Sequence, residues 1–297
     1  MNSMIYKNKK PLLVFLIPAF TIMLIYLYYP FAMNIYNSFS DIKGLGRAAT
    51  GLNSPWYSNY IELFSDQKMK IAVLNTLKLM LCTIVFQVGI ALVLALLIDN
   101  IRIGKNFFRI AYFFPIIISA TALGLLFNLI FLYDGGMLNN FLELFTRHEV
   151  LIDWKDKSRW MFTMFAPIMW QYIGFYFVVI ITGLNNISSE LYEAAAIDGA
   201  SGFKCIRYIK LPLLHNVLCT CLILAITGSL KVFDLPWTMM PTGMPLDQSW
   251  LTGTYMYHVT FNASNVDYGS TIAIVIVLLG IVIAQSANIV FKEKDYC

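Results

Sequence analysis

The sequence predicts an all-α integral membrane protein that crosses the bilayer six times. Three observations carry this expectation. Of 297 residues, 59% are hydrophobic and only 13% charged, whereas a soluble domain of this size carries roughly a quarter charged residues. The apolar residues gather into six runs free of Asp, Glu, Lys and Arg, at 11–40, 79–98, 110–133, 161–189, 211–230 and 268–291. Each run reaches the about 20 helical residues needed to cross a hydrocarbon core about 30 Å thick. The runs are also continuously apolar rather than alternating, which excludes the strands of a membrane barrel. The spans are accordingly placed at about 11–33, 79–98, 110–133, 161–187, 212–230 and 268–291. They form one transmembrane domain over 11–291, with short ends at 1–10 and 292–297.

The first span contains Pro18 and ends in Tyr26, Tyr28, Tyr29 and Pro30. Its tyrosines suit the headgroup belt, where an amphipathic ring meets both solvents. The basic start and apolar stretch imitate a signal peptide, but the run is too long for an h-region and lacks a small-residue cleavage site, so it is read as a retained helix. Residues 41–78 form an outer loop with Gly44, Gly46, Gly51 and Pro55 in its first part. Its second part, Asn59 to Lys78, has mixed helical periodicity and enters the second span as a surface helix. Pairs of small residues four apart recur in the spans: Ala91 and Ala95, Ala120 and Gly124, Ala225 and Ser229, Gly269 and Ala273, Gly280 and Ala284. Such spacing lets membrane helices approach closely and supports a packed bundle. Loop 134–160 ends in the charge-rich stretch 153–159, read as a solvated turn, and loop 231–267 is rich in Pro, Gly and Met.

Lys and Arg set the orientation. Placing both ends in the cytoplasm puts Lys7, Lys9, Lys10, Arg102, Lys105, Arg109, Lys204, Arg207, Lys210, Lys292 and Lys294 inside, in short segments. The outer loops, of about twice the length, hold 10 basic residues. The expectation is a multi-pass protein of a bacterial plasma membrane with both termini cytoplasmic. A net charge of +4 suits an anionic inner leaflet and says nothing of nucleic acid. Cys82, Cys205, Cys219, Cys221 and Cys297 show no CxxC spacing, so neither a disulfide framework nor a zinc site is supported. His148, His215 and His258 are scattered and suggest no metal cluster. No Gly-x-x-x-x-Gly-Lys-[Ser/Thr] occurs. This chain is therefore expected to carry no cofactor, and ATP hydrolysis would have to come from a separate subunit.

Between the fourth and fifth spans, on the inner side, Glu-Ala-Ala-Ala-Ile-Asp-Gly-Ala fills 193–200, and after eight residues Ile-Lys-Leu-Pro fills 209–212. Residues 188–212 read as two short helices joined by a tight turn. Ser188 and Ser189 are N-cap candidates, and Glu190 and Glu193 complement the positive end of the helix. Ala194, Ala195 and Ala196 favour helix, and Gly199 stops it. A second helix from about Ser201 to Lys210 carries Phe203, Ile206 and Ile209 on one face, and Pro212 suits the first turn of the fifth span.

Glu193, Ala194, Ala195, Gly199, Ile209, Leu211 and Pro212 match the EAA signature, with Asp198 inside it. The chain thus resembles permease subunits of binding-protein-dependent ABC importers. Weaker matches over most of its length resemble carbohydrate permeases of the maltose type, similar to the larger permease of that pair. These are Pro18, Tyr29-Pro30, Asn59-Tyr60, Leu63-Phe64, Asn75-Thr76, Phe113-Phe114-Pro115, Phe233-Asp234, residues 240–245 and Asp267-Tyr268-Gly269. Met244 departs where the family often has Gly, and Ser188 where Pro is common. The resemblance implies a six-span type I ABC importer permease fold with a cytoplasmic coupling helix. It implies that Glu193, Ala194, Ala195, Asp198, Gly199, Ile209, Leu211 and Pro212 grip an ATPase. It also implies a second homologous permease, two ATP-binding subunits holding ATP and Mg²⁺, an extracytoplasmic solute-binding protein, and a sugar or oligosaccharide as substrate.

A sugar site wants hydrogen-bonding groups and an aromatic face. Asn128, Gln171 and Tyr176, with Trp170, Tyr172 and Phe175 nearby, could line one or could bond between helices. A secondary, ion-coupled transporter is the rival reading. Such carriers usually place charges inside the membrane at a cost of at least about 2.5 kcal/mol each, and the six runs contain none. A membrane-embedded enzyme would need clustered acids, histidines or an activated nucleophile, and no such set occurs.

Overall fold

The computed structural model describes residues 10–101 and 104–290, and they form two compact units. The first comprises the described residues up to Ser65 together with Met256–Val275. Its helix α1, Leu13–Ser38, takes a π turn at Leu24–Tyr28 beside Pro30. Proline has no N–H to give, and there the ladder slips so that Tyr29 N–H bonds the Leu24 carbonyl five residues back. After α1 come an antiparallel pair, β1 (Ser40–Asp41) and β2 (Gly51–Leu52), and the short helix α2 (Ser58–Ser65). Ser38 knots this unit. Its Oγ lies 2.9 Å from the Tyr60 hydroxyl, and its carbonyl accepts from Asn59 Nδ2 at 3.4 Å and Thr271 Oγ1 at 3.1 Å. Asn59 and Tyr60, conspicuous in the sequence, thus tie the end of α1 to the start of the last helix.

The second unit, Asp66–Tyr255 with the chain from Ile276 onward, holds most of the helices. These are α3 (Gln67–Asp99), α4 (Lys105–Ile117), α5 (Ala120–Ile130), α6 (Met137–Thr146), α7 (Trp160–Asn185), α8 (Ser189–Ile197), α9 (Phe203–Leu213), α10 (His215–Ser229) and α11 (Asp234–Met239). Helix α12 (Thr252–Tyr257) leads out of this unit, and α13 (Val266–Val290) returns to it in its second half. Asp66 caps α3, its Oδ1 accepting from the N–H groups of Lys68 and Met69 at 2.8 and 3.3 Å. At 1.5 Å per residue, α3 is about 50 Å long, well beyond a bilayer core. Its ends therefore stand outside the apolar run 79–98.

Helix α7 is the centre of this unit. Near one end, Met164 and Ile168 pack with Leu79, Leu123, Leu235 and Met239. Near the other, Phe177, Ile180 and Ile181 pack with Val88, Ala91 and Ala95 of α3 and Ala225 of α10. The small pair Ala91 and Ala95, read from spacing alone, is fully buried.

Four helices, α1, α3, α7 and α13, are each long and apolar enough to cross a membrane, and two bent pairs raise the number to six. The bends are what the apolar runs did not announce. Run 110–133 is two helices, α4 and α5, at 94°. Pro115 weakens the ladder, Ile118 turns extended (ψ 133°), and Ser119 starts a new helix. Run 211–230 begins with the end of α9 and turns 67° at Leu214 into α10. Pro212 therefore lies at the end of α9, before the bend, rather than in the first turn of the straight span. A π turn at Ile206–Lys210 precedes it, again where a proline cannot continue the ladder.

Close approach decides one glycine. A Cβ on Gly174 of α7 would run into the main-chain carbonyl of Tyr112 on α4, whereas a Cβ on Gly89 of α3 would meet nothing within 4 Å. We expect Gly174→Ala to cost about 1–3 kcal/mol through forced separation of α4 and α7. Gly89→Ala should instead stabilise by about 0.4–1 kcal/mol. Thermal unfolding of the purified protein in detergent checks both signs.

Candidate coupling surface and membrane cavity

Helix α8 carries the Glu-Ala-Ala motif, and its end is built by Gly199. With φ at +73°, Gly199 gives its N–H to the Ala196 carbonyl at 3.2 Å, and Ala200 N–H reaches the Ala195 carbonyl at 2.8 Å. This is the six-to-one, five-to-two closure of a helix on a left-handed residue. Gly202, at φ 56° and ψ −122°, occupies a region nearly reserved for glycine and redirects the chain into α9. Ser188 does occupy the N-cap position, but its side chain makes no capping bond.

Glu193, Ala194, Asp198 and Gly199 are exposed, Ala195 is buried, and Ile209, Leu211 and Pro212 are half-buried. The first group forms the outward face of a two-helix bracket, and the second roots it. Sequence reasoning missed the apolar part of that face. Ile197 is 87% exposed, Phe203 77% and Tyr208 72%. The signal was available: two short helices that carry Ile197, Phe203, Tyr208, Ile206 and Ile209 cannot bury all of them against their own chain. Phe203 accordingly does not share the sheltered side that Ile206 and Ile209 take.

At the root, Lys210 is only 6% exposed. Its Nζ donates to Asp99 Oδ2 of α3 at 2.7 Å and lies 5.5 Å from the centre of the Tyr192 ring of α8. Lys105 approaches the other oxygen of Asp99 at 3.6 Å. Burial, with Asp99 and Cys205 nearby, pushes the Tyr192 phenol up to about 12.

A second feature lies within the bundle. A cavity of about 230 Å³ is lined by Thr83 and Gln87 of α3, Tyr172 and Tyr176 of α7, Ser229 at the end of α10 and Lys231 just beyond it. Here α3 takes a π turn over Thr83–Val88, a local unwinding frequent at functional positions. Gln87 Nε2 is held by the Ile168 carbonyl at 2.9 Å. Of the three polar candidates, Tyr176 lines this cavity and the other two do not. Gln171 Nε2 instead donates at 3.3 Å to the Ile118 carbonyl, at the break between α4 and α5. Asn128 bridges two segments, donating to the Thr238 carbonyl at 3.0 Å and accepting from Lys155 Nζ at 2.8 Å. Burial lowers the Lys155 ammonium below the ordinary lysine value. Thr83, Gln87 and Lys231 were not singled out in the sequence, and Ser229 only as one of a small-residue pair, because only the packing of α3, α7 and α10 brings them together. Among the described residues no group of His, Cys, Asp or Glu could hold a metal ion.

Residues 87–292 match the family described as binding-protein-dependent transport system inner membrane component. The chain belongs to that family. The permease is 28% identical over 292 residues to the probable ABC transporter permease protein YurN of Bacillus subtilis, covering 97% of this chain and 98% of that one. It is 26% identical to the multiple sugar-binding transport system permease protein MsmF of Streptococcus mutans, over 90% and 91% of the two chains. Among solved structures, a chain of a bacterial ABC transporter involved in the import of the acidic polysaccharide alginate superposes with a TM-score of 0.83. That alignment covers 96% of each chain at 21% identity, and shows a shared fold. The chain is thus a multi-pass membrane subunit of an ABC importer.

The geometry of Gly199 yields a graded expectation. Asn tolerates positive φ and valine does not. Gly199→Asn should keep the bracket folded, while Gly199→Val, costing at least about 1–2 kcal/mol of backbone strain, should loosen it. Limited proteolysis within 188–212 in membranes, with permease abundance measured in parallel, separates the two.

Proposed function

We propose that this permease is the translocation subunit of an ATP-driven importer of a sugar or oligosaccharide. In this reading an extracytoplasmic binding protein delivers the substrate. Two ATP-binding subunits, holding ATP and Mg²⁺, seat on the Glu193–Gly199 bracket from the cytoplasm. The observation that carries the proposal is the bracket itself. A stiff, short helix offers an exposed carboxylate, Glu193, beside exposed Ile197 and Phe203, the mixture that a groove on a partner would engage. Glu193 makes no ion pair among the described residues, so it is available to one outside the chain.

The sugar assignment draws on relatives named for sugar transport, which align with about nine tenths of the chain. A second, homologous permease fits helix α1, whose apolar window has no buried residue and needs lipid and protein to cover it. The Lys and Arg distribution supports both termini in the cytoplasm, which brings the bracket to the ATPase side. Asp198, Ile209, Leu211 and Pro212, together with Ala194 and Ala195, then shape and anchor the surface. The cavity at Tyr172 and Tyr176 supplies an aromatic wall beside polar groups, as a sugar passage requires.

Glu193→Arg should abolish uptake of the transported sugar, tested with a panel of labelled oligosaccharides, while the protein stays in the membrane. The ATPase subunit should also fall from the purified complex by at least about tenfold, the loss expected when a docked charge is reversed. Normal uptake with the ATPase still bound would reject this reading of the segment.

A further inference from the structure

Asp99 breaks a local rule. It is the last residue of α3, where the helix dipole disfavours a carboxylate, and its side chain is only 15% exposed. Lys210 is more deeply buried still. A buried ion pair adds little net stability compared with apolar packing of the same volume. A rule broken at a local cost points to a role elsewhere.

The surroundings suggest which. Three elements meet on one ammonium: α3 through Asp99, α9 through Lys210 itself, and the motif helix α8 through the Tyr192 ring. Beside them is a cavity of about 370 Å³, also lined by Asn100, Gly202 and Cys205. The Tyr192 hydroxyl is buried at this place and has no hydrogen-bond partner among the described residues. The joint is therefore tight in its charges and loose in its packing. Adjacent to the joint are two pivots, the glycine turn at Gly202 and the π turn Ile206–Lys210.

We propose that the Asp99–Lys210 pair is the joint through which displacement of the coupling bracket reaches α3 and, along that helix, the cavity at Thr83 and Gln87. The inference rests on the coupling reading above. Asp99 and Lys210 are positioning residues. They touch neither nucleotide nor substrate, and the pair carries force because opposite charges largely screened from bulk solvent attract over a longer range than apolar contacts do. Tyr192 shields the ammonium from water and holds α8 to it.

The test needs no knowledge of the sugar. In the complete importer in proteoliposomes, with native cysteines replaced, Lys231→Cys places a thiol at the cavity. Its labelling by a membrane-impermeant maleimide from the outer side is compared with and without ATP and vanadate, alongside ATP hydrolysis. In the parent, trapping should raise labelling. Asp99→Asn or Lys210→Met should reduce that gain by about tenfold while hydrolysis persists and the ATPase still co-purifies. Lys210→Arg should preserve the gain, and the double variant Asp99→Asn/Lys210→Met should be no worse than either single one. A gain unchanged in the single variants, losses that add in the double, or gain and hydrolysis falling in proportion would each overturn the joint. Absence of any ATP-dependent labelling in the parent would instead reject the coupling reading beneath it.

Discussion

Every interruption of a helix inside a bilayer leaves a carbonyl or N–H that lipid cannot satisfy, and much of this structure answers that constraint. The answer is repeatedly a buried side-chain amide aimed at a main-chain carbonyl. Gln171 reaches Ile118 at the break between α4 and α5, and Asn128 reaches Thr238 in the short helix α11. Asn75 Nδ2 takes the carbonyls of Gln248 and Trp250 at 2.6 and 3.0 Å. Asn139, almost fully buried, donates to Leu132, Tyr133 and Ile152 and accepts from the Trp154 indole at 2.7 Å. Each amide costs free energy to desolvate unless its bonds are made, so each fixes one arrangement of loop on helix. The bends can exist because the amides are there.

The same constraint explains what the sequence let through. Continuous apolar runs and the spaced Glu-Ala-Ala, Asp-Gly and Leu-Pro elements are local features, and they were legible. The small pair Ala91 and Ala95 was legible too, since spacing on one helix needs no knowledge of the partner. The bends at Ile118 and Leu214 were not, because the apolar content of a run is the same straight or broken. Pro115 and Pro212 only permit a bend. Whether it happens depends on Gln171, on another helix, being in place for the first, and on the π turn at Ile206–Lys210 for the second. Gln171 and Asn128 looked like pathway residues for the same reason: polarity in an apolar run signals an unmet need, but not whether substrate or backbone meets it. Lys210 read as one more inner basic residue, and only the fold shows it to be buried on Asp99.

Transport asks this scaffold to be rigid along its helices and compliant between them. Helix α3 meets both demands. In its first half, Asn75 and Thr76 fasten it to the 246–252 segment, Thr76 Oγ1 accepting from the N–H of Thr252 at 3.1 Å. At its C-terminal end Asp99 is held by two lysines. Between them lies the π turn Thr83–Val88, where the ladder is already one residue out of step. A displacement entering at Asp99 would travel along the straight part, Gly89–Asp99, packed by Ala91 and Ala95 against α7. It would be absorbed where the helix is weakest, beside Tyr172 and Tyr176. A uniformly α-helical α3 would pass the same movement to its fastened first half and strain the loop there. The π turn thus places a compliant point of the longest helix at the wall of the cavity.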